Sequence, residues 1–186
     1  MKKITTALFV LLFIMICTIQ AQVKENVIKT SLSAPIIRTF TLAYERALNP
    51  DMSLQLGGSY FAGWSIGDTR LDGFSVLPEF RYYLSEEKEC PNGGFIAPFL
   101  RYGSIGIEVG DEGTPDYGKA SLTNYGGGVL VGVQRLFKET ISLEAFIGPA
   151  YYNVNVQVEE GTEEEFSTGL LEGFSVRLGV TLGIAF

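Results

Sequence analysis

Hydrophobic and polar residues alternate along much of the chain, and the alternation is clearest in the final segment, "SVRLGVTLGIAF". Every second residue there is apolar: Val176, Leu178, Val180, Leu182, Ile184 and Phe186. A side-chain period of two is that of a β-strand, whereas in a helix the same residues would be spread around the whole circumference. The segment is therefore predicted to be a strand with one apolar face.

The same pattern predicts eight strands, over residues 27–33, 40–48, 52–61, 74–84, 95–109, 122–137, 141–158 and 174–186. In the fifth strand the apolar parity changes near Gly103, and in the seventh it changes near Tyr151, so a β-bulge is expected at each place. After the N-terminal segment, no apolar run approaches the roughly 20 residues that a helix needs to cross a bilayer. The sequence therefore predicts an all-β fold.

The connections between the predicted strands alternate in length. After strands two, four and six they read "NPD", "SEEKECPNG" and "KET", and after strands three, five and seven they read "AGWSIGDTRLDG", "GDEGTPDYGKAS" and "EEGTEEEFSTGLLEG". Short turns at one end and long loops at the other are typical of outer-membrane barrels, with the short turns in the periplasm. We therefore predict an eight-stranded antiparallel up-and-down transmembrane β-barrel, although the first connection, "APIIRT", is shorter than this rule suggests.

The two faces of the predicted strands differ in a way that favours lipid outside. The face opposite the apolar one is largely small: Gly57, Ser59, Gly126, Gly128, Gly132, Gly179, Gly183 and Ala185. Small side chains suit the interior of an eight-stranded barrel, which is just wide enough for side chains to fill. The apolar parity is therefore expected to face lipid, with Arg46 and Arg135 as exceptions near the short turns, where an arginine reaches the headgroups.

Aromatic residues of the outward parity gather towards the strand ends. Phe40, Tyr60, Phe74 and Phe174 lie towards the long loops. Tyr44, Tyr82, Phe137 and Phe186 lie towards the short turns. Two such groups are expected to form the aromatic girdles of a membrane barrel.

Charged residues of the opposite parity are expected in the lumen. They are Lys29, Glu45, Glu79, Arg81, Arg101, Glu144 and Arg177. Opposite charges confined in a narrow closed space should pair. The network could act as a polar plug or a proton path, or it could simply satisfy a lumen that cannot be apolar and empty. The second interpretation is favoured, because charge networks with perturbed titration are often only structural.

The N-terminal segment is predicted to be a secretory signal. Lys2 and Lys3 precede an apolar run, and Ala21 lies at the expected cleavage edge, so residues 1–22 are assigned to the signal and residues 23–186 to the barrel domain. Removal of the signal would leave 12 basic and 21 acidic residues, a net charge of −9, which argues against a nucleic-acid partner. Cys90 would be the only cysteine left, so no internal disulfide framework is expected.

The composition also disfavours catalysis. The chain contains no histidine, which removes the commonest general base and the commonest metal ligand. No cofactor or metal site is expected. The acidic loop residues, Asp111, Glu112, Asp116 and the run over residues 159–165, lack the spacing of a calcium loop and are interpreted as solvated charge. A role of these loops in binding an extracellular ligand stays open.

Four runs carry a resemblance to a known group of proteins: "LAYERALN", "PEFRYYL", "PFLRYG" and "FIGPAYY". In this order they resemble an uncharacterised family of bacterial barrels, within the small eight-stranded outer-membrane barrels similar to OmpA and OmpX. The resemblance implies a bacterial outer-membrane location, outer-membrane lipid as surroundings and no assigned activity. It also implies that the aromatic Phe186 is part of the signal read by the barrel-assembly machinery.

Three functions are compatible with the sequence to different degrees. The preferred one is a non-enzymatic outer-membrane barrel with acidic extracellular loops, serving surface interaction or envelope integrity, with a plugged lumen. The alternative is a soluble exported barrel that binds a small apolar ligand, as lipocalins do, with its apolar face turned inward. A barrel-embedded lipid hydrolase or acyltransferase would need a histidine beside a serine, and the absence of histidine disfavours it.

Overall fold

The computed structural model describes residues 24–34, 38–66, 69–84, 89–110, 118–160 and 172–186. The described residues form eight strands: β1 (Asn26–Ser31), β2 (Thr39–Asn49), β3 (Met52–Ile66), β4 (Thr69–Tyr83), β5 (Gly93–Val109), β6 (Gly118–Phe137), β7 (Ile141–Glu160) and β8 (Gly173–Ala185). The predicted signal, residues 1–22, lies outside the described residues. Within the described part of the chain, no helix is long and apolar enough to cross a membrane.

The strands form a closed barrel in sequence order, each antiparallel to the next. The first and last strands close the ring through pairs such as Ile28 with Ile184 and Thr30 with Leu182. The prediction of an all-β, eight-stranded, up-and-down barrel is therefore confirmed. Connections at residues 50–51, 84–92 and 138–140 mark one end, called here the turn end, and those at 32–38, 67–68, 110–117 and 161–172 mark the loop end.

The predicted long loop between the third and fourth strands is wrong. Its residues belong largely to strands, because β3 continues to Ile66 and β4 begins at Thr69, and the two stay paired up to Ile66 with Thr69. The pairing shifts between Phe61 and Trp64, and Gly63 there has a φ of 65°. Glycine adopts this left-handed conformation at little cost, which suits an irregular point in a ladder.

The predicted bulges near Gly103 and Tyr151 are also wrong. β5 pairs with β6 in a continuous register from Gly93 with Gln134 to Val109 with Gly118. β7 pairs with β8 without a shift from Ile141 to Tyr152, and the register shift between β6 and β7 falls at Lys119 and Ala120 instead. The change in apolar parity therefore occurs without an inserted residue in these ladders.

The barrel is apolar outside and charged inside. Its outward face carries large exposed side chains on every strand, for example Leu56 at 56%, Val131 at 53% and Leu178 at 70% exposure. The largest fully buried side chains include Arg81 and Lys29. A water-soluble domain has the opposite distribution, with charged residues almost never fully buried unless paired.

A ring of exposed aromatic side chains, called here the aromatic belt, surrounds the barrel towards the loop end. Its members are Phe40, Tyr60, Phe74, Tyr102, Tyr125, Tyr151 and Phe174. They lie side by side across the strands: Phe40 pairs with Tyr60 and Tyr60 with Phe74, Tyr102 pairs with Tyr125, and Tyr151 pairs with Phe174. Ring centroids are 6.5 Å apart for Phe74 and Tyr102 and 5.6 Å apart for Tyr151 and Phe174. Tyr44, predicted in the opposite girdle, is exposed, and its hydroxyl donates a hydrogen bond to Asn26, the first residue of β1.

Beyond the belt the polarity of the wall reverses. This part, called here the loop-end extension, comprises residues 69–73, 103–109, 118–124 and 153–160. One face carries a polar row, in which Ser104 pairs with Thr123 and Thr123 with Asn155. The neighbouring row is apolar and turned inward: Ile105 pairs with Leu122, which is only 2% exposed. The extension therefore has the pattern of a sheet in water, polar outside and apolar inside.

Glycine is required where β6 and β7 approach closely. A Cβ atom on Gly148 would lie 2.0 Å from the carbonyl oxygen of Val129, and one on Gly126 would lie 2.1 Å from that of Tyr151. By contrast, the nearest atom to a Cβ on Gly58, in β3, is 3.8 Å away. Any larger residue at Gly126 or Gly148 would force the two strands apart.

Candidate functional site

The lumen contains a connected group of ion pairs near the turn end. This group, called here the charge network, comprises Lys29, Glu45, Glu79, Arg81, Glu144 and Arg177. Alternation along the strands places each of these side chains inside, because every one has the inward parity of its strand. Five of the six are at most 1% exposed. Together they occupy the space that an eight-stranded barrel leaves for side chains.

Arg81 on β4 is the centre of the network. Its guanidinium makes a two-pronged contact with Glu144, with nitrogen–oxygen distances of 2.8 and 3.0 Å. It also donates to Glu79 at 2.8 Å, and Glu45 lies 3.6 Å away. The guanidinium carbon lies 4.6 Å from the centre of the Phe95 ring, a cation–π contact. One cation thus holds three carboxylates that would otherwise repel one another.

Lys29 on β1 completes the compensation of these acids. Its ammonium group contacts both Glu45 and Glu144 and donates to Gln134 Oε1 at 2.6 Å. Glu45 also accepts hydrogen bonds from the hydroxyl groups of Ser53 and Tyr83. The carboxylates are thus hydrogen-bonded as well as charge-paired, which buried ions need in order to be tolerated.

Arg177 on β8 forms the side of the network nearest the loop end. It donates to Glu79 Oε1 at 2.7 Å, and Gln55 donates to the other oxygen of the same carboxylate at 3.0 Å. The Arg177 guanidinium carbon lies 4.7 Å from the Phe99 ring centre and 4.8 Å from that of Phe146. Two aromatic rings and one carboxylate therefore fix its position.

Arg101 differs from the expectation that all seven lumen charges pair. Among the described residues, no carboxylate lies within ion-pair distance of it, and its guanidinium carbon lies 5.4 Å from the Tyr152 ring centre. Its Nε atom is buried without a hydrogen-bond partner in the described part of the chain. The structure therefore places Arg101 beside the network and outside its ion pairs.

The turn end of the lumen is closed beneath the network. Gln134 donates to Glu45 at 3.2 Å and to the Pro91 carbonyl at 2.8 Å, so it connects the charges to the connection between β4 and β5. Cys90 in that connection is 2% exposed, and burial, reinforced by the Glu45 carboxylate, raises the pKa of its thiol to about 12. Cys90 and Pro91 thus pack into the barrel end beneath the network.

Sequence reasoning missed Gln134 as a member of this site. Its parity on β6 matches that of Gly126, Gly128 and Gly132, so its inward position was readable. A polar residue of lumen parity near a short turn was the available signal. A search for charged residues alone does not find Gln134, whose amide forms hydrogen bonds with Lys29, Glu45 and the backbone carbonyl of Pro91.

Above the network, towards the loop end, the lumen contains a cavity of about 240 Å³. Glu79, Gln55 and Arg177 border it on the network side. Arg101 and the hydroxyl residues Ser59 and Ser75 contribute to its wall. The network therefore closes the lumen on one side only, and a space lined by both polar and apolar side chains remains on the other.

The described residues contain no candidate metal site, and most of the acidic loop residues lie outside the described part of the chain. Among the described residues, no group of three or more acidic, cysteine or histidine side chains is arranged to hold a metal ion. The loop acids Asp111, Glu112 and Asp116 and most of the acidic run over residues 159–165 lie outside the described residues. Their interpretation as solvated charge stays a prediction.

Comparison with known proteins places the chain in a family. A solved structure that is similar, the crystal structure of the N-terminal β-barrel domain of Pseudomonas aeruginosa OprF, shares 16% sequence identity over 87% of this chain and 96% of that chain, with a TM-score of 0.39. No curated protein matches the chain. The model of a family described as "Protein of unknown function (DUF3575)" matches residues 7–179, which is most of the sequence. The chain therefore belongs to the DUF3575 family of proteins of unknown function.

Proposed function

We propose that the protein is a non-enzymatic barrel of the bacterial outer membrane, with a plugged lumen and loops that serve surface interaction or envelope integrity. The observation that carries this proposal is the exposed apolar band of the wall, which ends at the aromatic belt. Monomeric soluble proteins rarely expose contiguous apolar patches beyond a few hundred Å². A band around a whole barrel needs an apolar solvent, and lipid supplies it.

The height of the band fits a bilayer. On β6 it extends from Tyr125 in the belt to Phe137 at the turn end. Twelve residue steps at about 3.4 Å each give about 40 Å of strand. At the tilt of about 40° common in membrane barrels, this strand spans about 30 Å, which matches the hydrocarbon core. The match supports a membrane-spanning wall with the loop-end extension outside it.

The loop-end extension supports an orientation with the loops outside the cell. Its polar outward rows would lie in water beyond the membrane surface, whereas the turn end is compact, as periplasmic turns are. Single cysteines at Asn155 and at Lys138, each in a Cys90→Ser background, test this. In intact cells an impermeant maleimide should label Asn155→Cys, and Lys138→Cys only after lysis. Labelling of Lys138→Cys alone in intact cells would reverse the orientation.

The charge network supports a plugged lumen. A steady ion current would require a continuous water path past Arg81 and Glu144, and both are buried at 1% exposure or less. Purified protein in a planar bilayer should therefore show no steady single-channel conductance. Large and stable conductance from the wild type would overturn the plug. The same charged interior does not support the alternative of a soluble barrel that holds an apolar ligand.

We further propose that Phe186 contributes to recognition by the barrel-assembly machinery. Its backbone exchanges two hydrogen bonds with Asn26, of 2.8 and 3.2 Å, so it also helps to close β8 against β1. Phe186→Ala keeps these backbone bonds and removes only the ring, and Phe186→Tyr keeps an aromatic ring. Assembled protein should fall for the alanine variant at unchanged synthesis and be retained for the tyrosine variant. Equal assembly of Phe186→Ala and wild type would exclude the role.

Membrane fractionation with gel mobility tests the whole proposal. The protein should be recovered with the outer membrane, and the unboiled detergent sample should migrate differently from the boiled one, as folded barrels do. Spectra should show β-structure with little helix. Recovery as a monomer that stays soluble without detergent would contradict the proposal and favour the soluble barrel.

A further inference from the structure

The lumen cavity has an excess of positive charge. The six members of the charge network contain three cations and three carboxylates, and their contacts pair them with one another. Arg101 adds a fourth cation, and among the described residues it has no carboxylate partner. It lies in the wall of the cavity of about 240 Å³. One positive charge is thus left to be compensated by something outside the described protein.

The cavity wall also presents polar atoms without partners. Gln55 is only 5% exposed, and its Nε2 is used by Glu79, yet its Oε1 has no hydrogen-bond partner in the described part of the chain. The same holds for the hydroxyl oxygen of Thr181, which also lines the cavity. Leaving such buried groups unsatisfied costs free energy, so they point to a missing polar occupant.

Arg177 is placed to assist Arg101. Only its Nη1 is engaged by Glu79, and the rings of Phe99 and Phe146 hold the guanidinium in position at the cavity wall. A guanidinium presents its donors in a rigid planar fork that matches oxyanions. Because Arg177 is already ordered, little conformational entropy would be lost when it donates a further hydrogen bond.

We propose that this cavity binds a small oxyanion that also carries a hydroxyl group, such as hydrogen phosphate. The charge of the anion compensates Arg101, its oxygens accept from the guanidinium groups and from Thr181, and its hydroxyl donates to Gln55 Oε1. At about 30 Å³ per water molecule, the cavity has the volume of roughly eight waters, which accommodates an anion of this size with some water. The site lies inside the barrel and is independent of which solvent surrounds the wall.

Calorimetric titration of the folded barrel in a non-ionic detergent, at constant ionic strength, tests the site. Inorganic phosphate at pH 8 should bind saturably in the millimolar range. Sulfate at the same pH carries no hydroxyl and should bind at least threefold more weakly. Arg101→Gln should weaken phosphate binding at least tenfold, whereas Arg135→Gln, an equal charge change on the outward face, should leave it unchanged.

Three results would contradict the proposal or a part of it. Absence of saturable phosphate binding to the wild type would exclude the site, and equal loss in both glutamine variants would reduce it to non-specific attraction. Equal affinity for sulfate and phosphate would remove the part assigned to Gln55. Unchanged gel mobility of unboiled Arg101→Gln shows that its loss of binding is not a failure to fold. Arg101→Lys keeps the charge without the planar set of donors and should have an intermediate affinity.

Discussion

The two parts of strand β6 have opposite distributions of apolar and polar residues on their outward and inward faces. From Tyr125 to Phe137 the exposed residues are apolar, and the inward side holds Gln134 in a hydrogen-bonded network. From Gly118 to Asn124 the outward row contains Ser121 and Thr123, and the inward row contains the buried Leu122. The same strand, in one register with β5, is apolar outside below the belt and apolar inside above it.

Under the proposed membrane placement, the parity change marks a change of solvent. In a strand that crosses from lipid to water, the apolar side must turn from outward to inward at the boundary, because each face has to match its surroundings. No residue needs to be inserted, and the ladder of β6 with β5 continues through the change. The aromatic belt lies where the two patterns meet, as interfacial aromatic residues do in membrane barrels.

The largest effect is expected from Arg81→Met, which removes the cation that three buried carboxylates share. Breaking a buried ion pair leaves an uncompensated buried charge, which costs about 3 to 5 kcal/mol. Urea unfolding of the barrel in vesicles should show a loss of this size. Glu144→Gln in the Arg81→Met background removes one of the stranded acids and should recover part of the stability.

A matched control is Arg135→Met, which removes an exposed arginine from the outward face of β6. The unfolding free energy should change by about 0.5 kcal/mol or less, as for most surface substitutions. If Arg81→Met and Arg135→Met were equally mild, the ion pairs below the belt would not act as a network, and the contrast between the charged lumen and the outward face would lose its energetic basis.

The second effect compares the outward face of β6 on the two sides of the aromatic belt. Val131 and Thr123 both face outward on β6, eight residues apart, with the belt between them. An arginine near the bilayer midplane costs about 2 to 4 kcal/mol, and the cost falls towards zero at the interface. Val131→Arg should therefore lower the unfolding free energy by that amount, and Thr123→Arg should leave it nearly unchanged. Equal tolerance at both positions would argue for water on both sides of the belt.

The third effect concerns the inward face of the loop-end extension. Leu122→Ala removes a side chain that is 2% exposed and packs opposite Ile105 and Val156. Loss of a buried leucine side chain costs about 2 kcal/mol at the lower limit of measured cases. Because the extension can open locally, hydrogen exchange of residues 118–124 should accelerate while the barrel below the belt stays protected. Thr123→Ala, on the polar row, is the control and should change little.

Much of the fold could be predicted from the sequence because parity is a local property. The strand count, the up-and-down order and the face assignment of residues such as Leu178 and Gly179 follow from alternation alone. Alternation also shows the parity changes near Gly103 and Tyr151, but it cannot distinguish a bulge from a reversal of the two faces in an unbroken ladder. The continuation of β3 to Ile66 was missed, because glycine and charge in this segment also suit a loop.

The site could be predicted less completely, since pairing in the lumen depends on the relative stagger of all eight strands. Alternation shows that Arg81 and Arg101 face inward, but it does not show which carboxylate each can reach. The register brings Arg81 to Glu144, on a strand far away in the sequence, and leaves Arg101 against Tyr152. The role of Gln134 likewise depends on the packing of the connection at Pro91 against the lumen.

Cys90 is expected to have the smallest effect on stability at neutral pH. The reactivity of its thiol shows whether the turn end is closed. Its thiol pKa is raised from the usual 9.0 to about 12, chiefly by burial, so the folded protein keeps the proton where the unfolded thiol would lose it. This contribution to stability is fully present below pH 9 and is lost as the pH rises towards 12. At pH 8 the fraction of Cys90 that is thiolate in the folded protein is about a thousandfold lower than for an ordinary cysteine.

Alkylation of Cys90 by iodoacetamide at pH 8 should therefore be at least a hundredfold slower in the folded barrel than in urea, because the thiolate is scarce and the 2% exposure blocks access. A cysteine at Thr123, on the polar outward row of the loop-end extension, is the control in a Cys90→Ser background and should react at the rate of a free thiol. Rapid alkylation of Cys90 in the folded protein would mean that the turn end opens. The lumen would then be closed by the charge network alone, and the connection through Pro91 would not cover it.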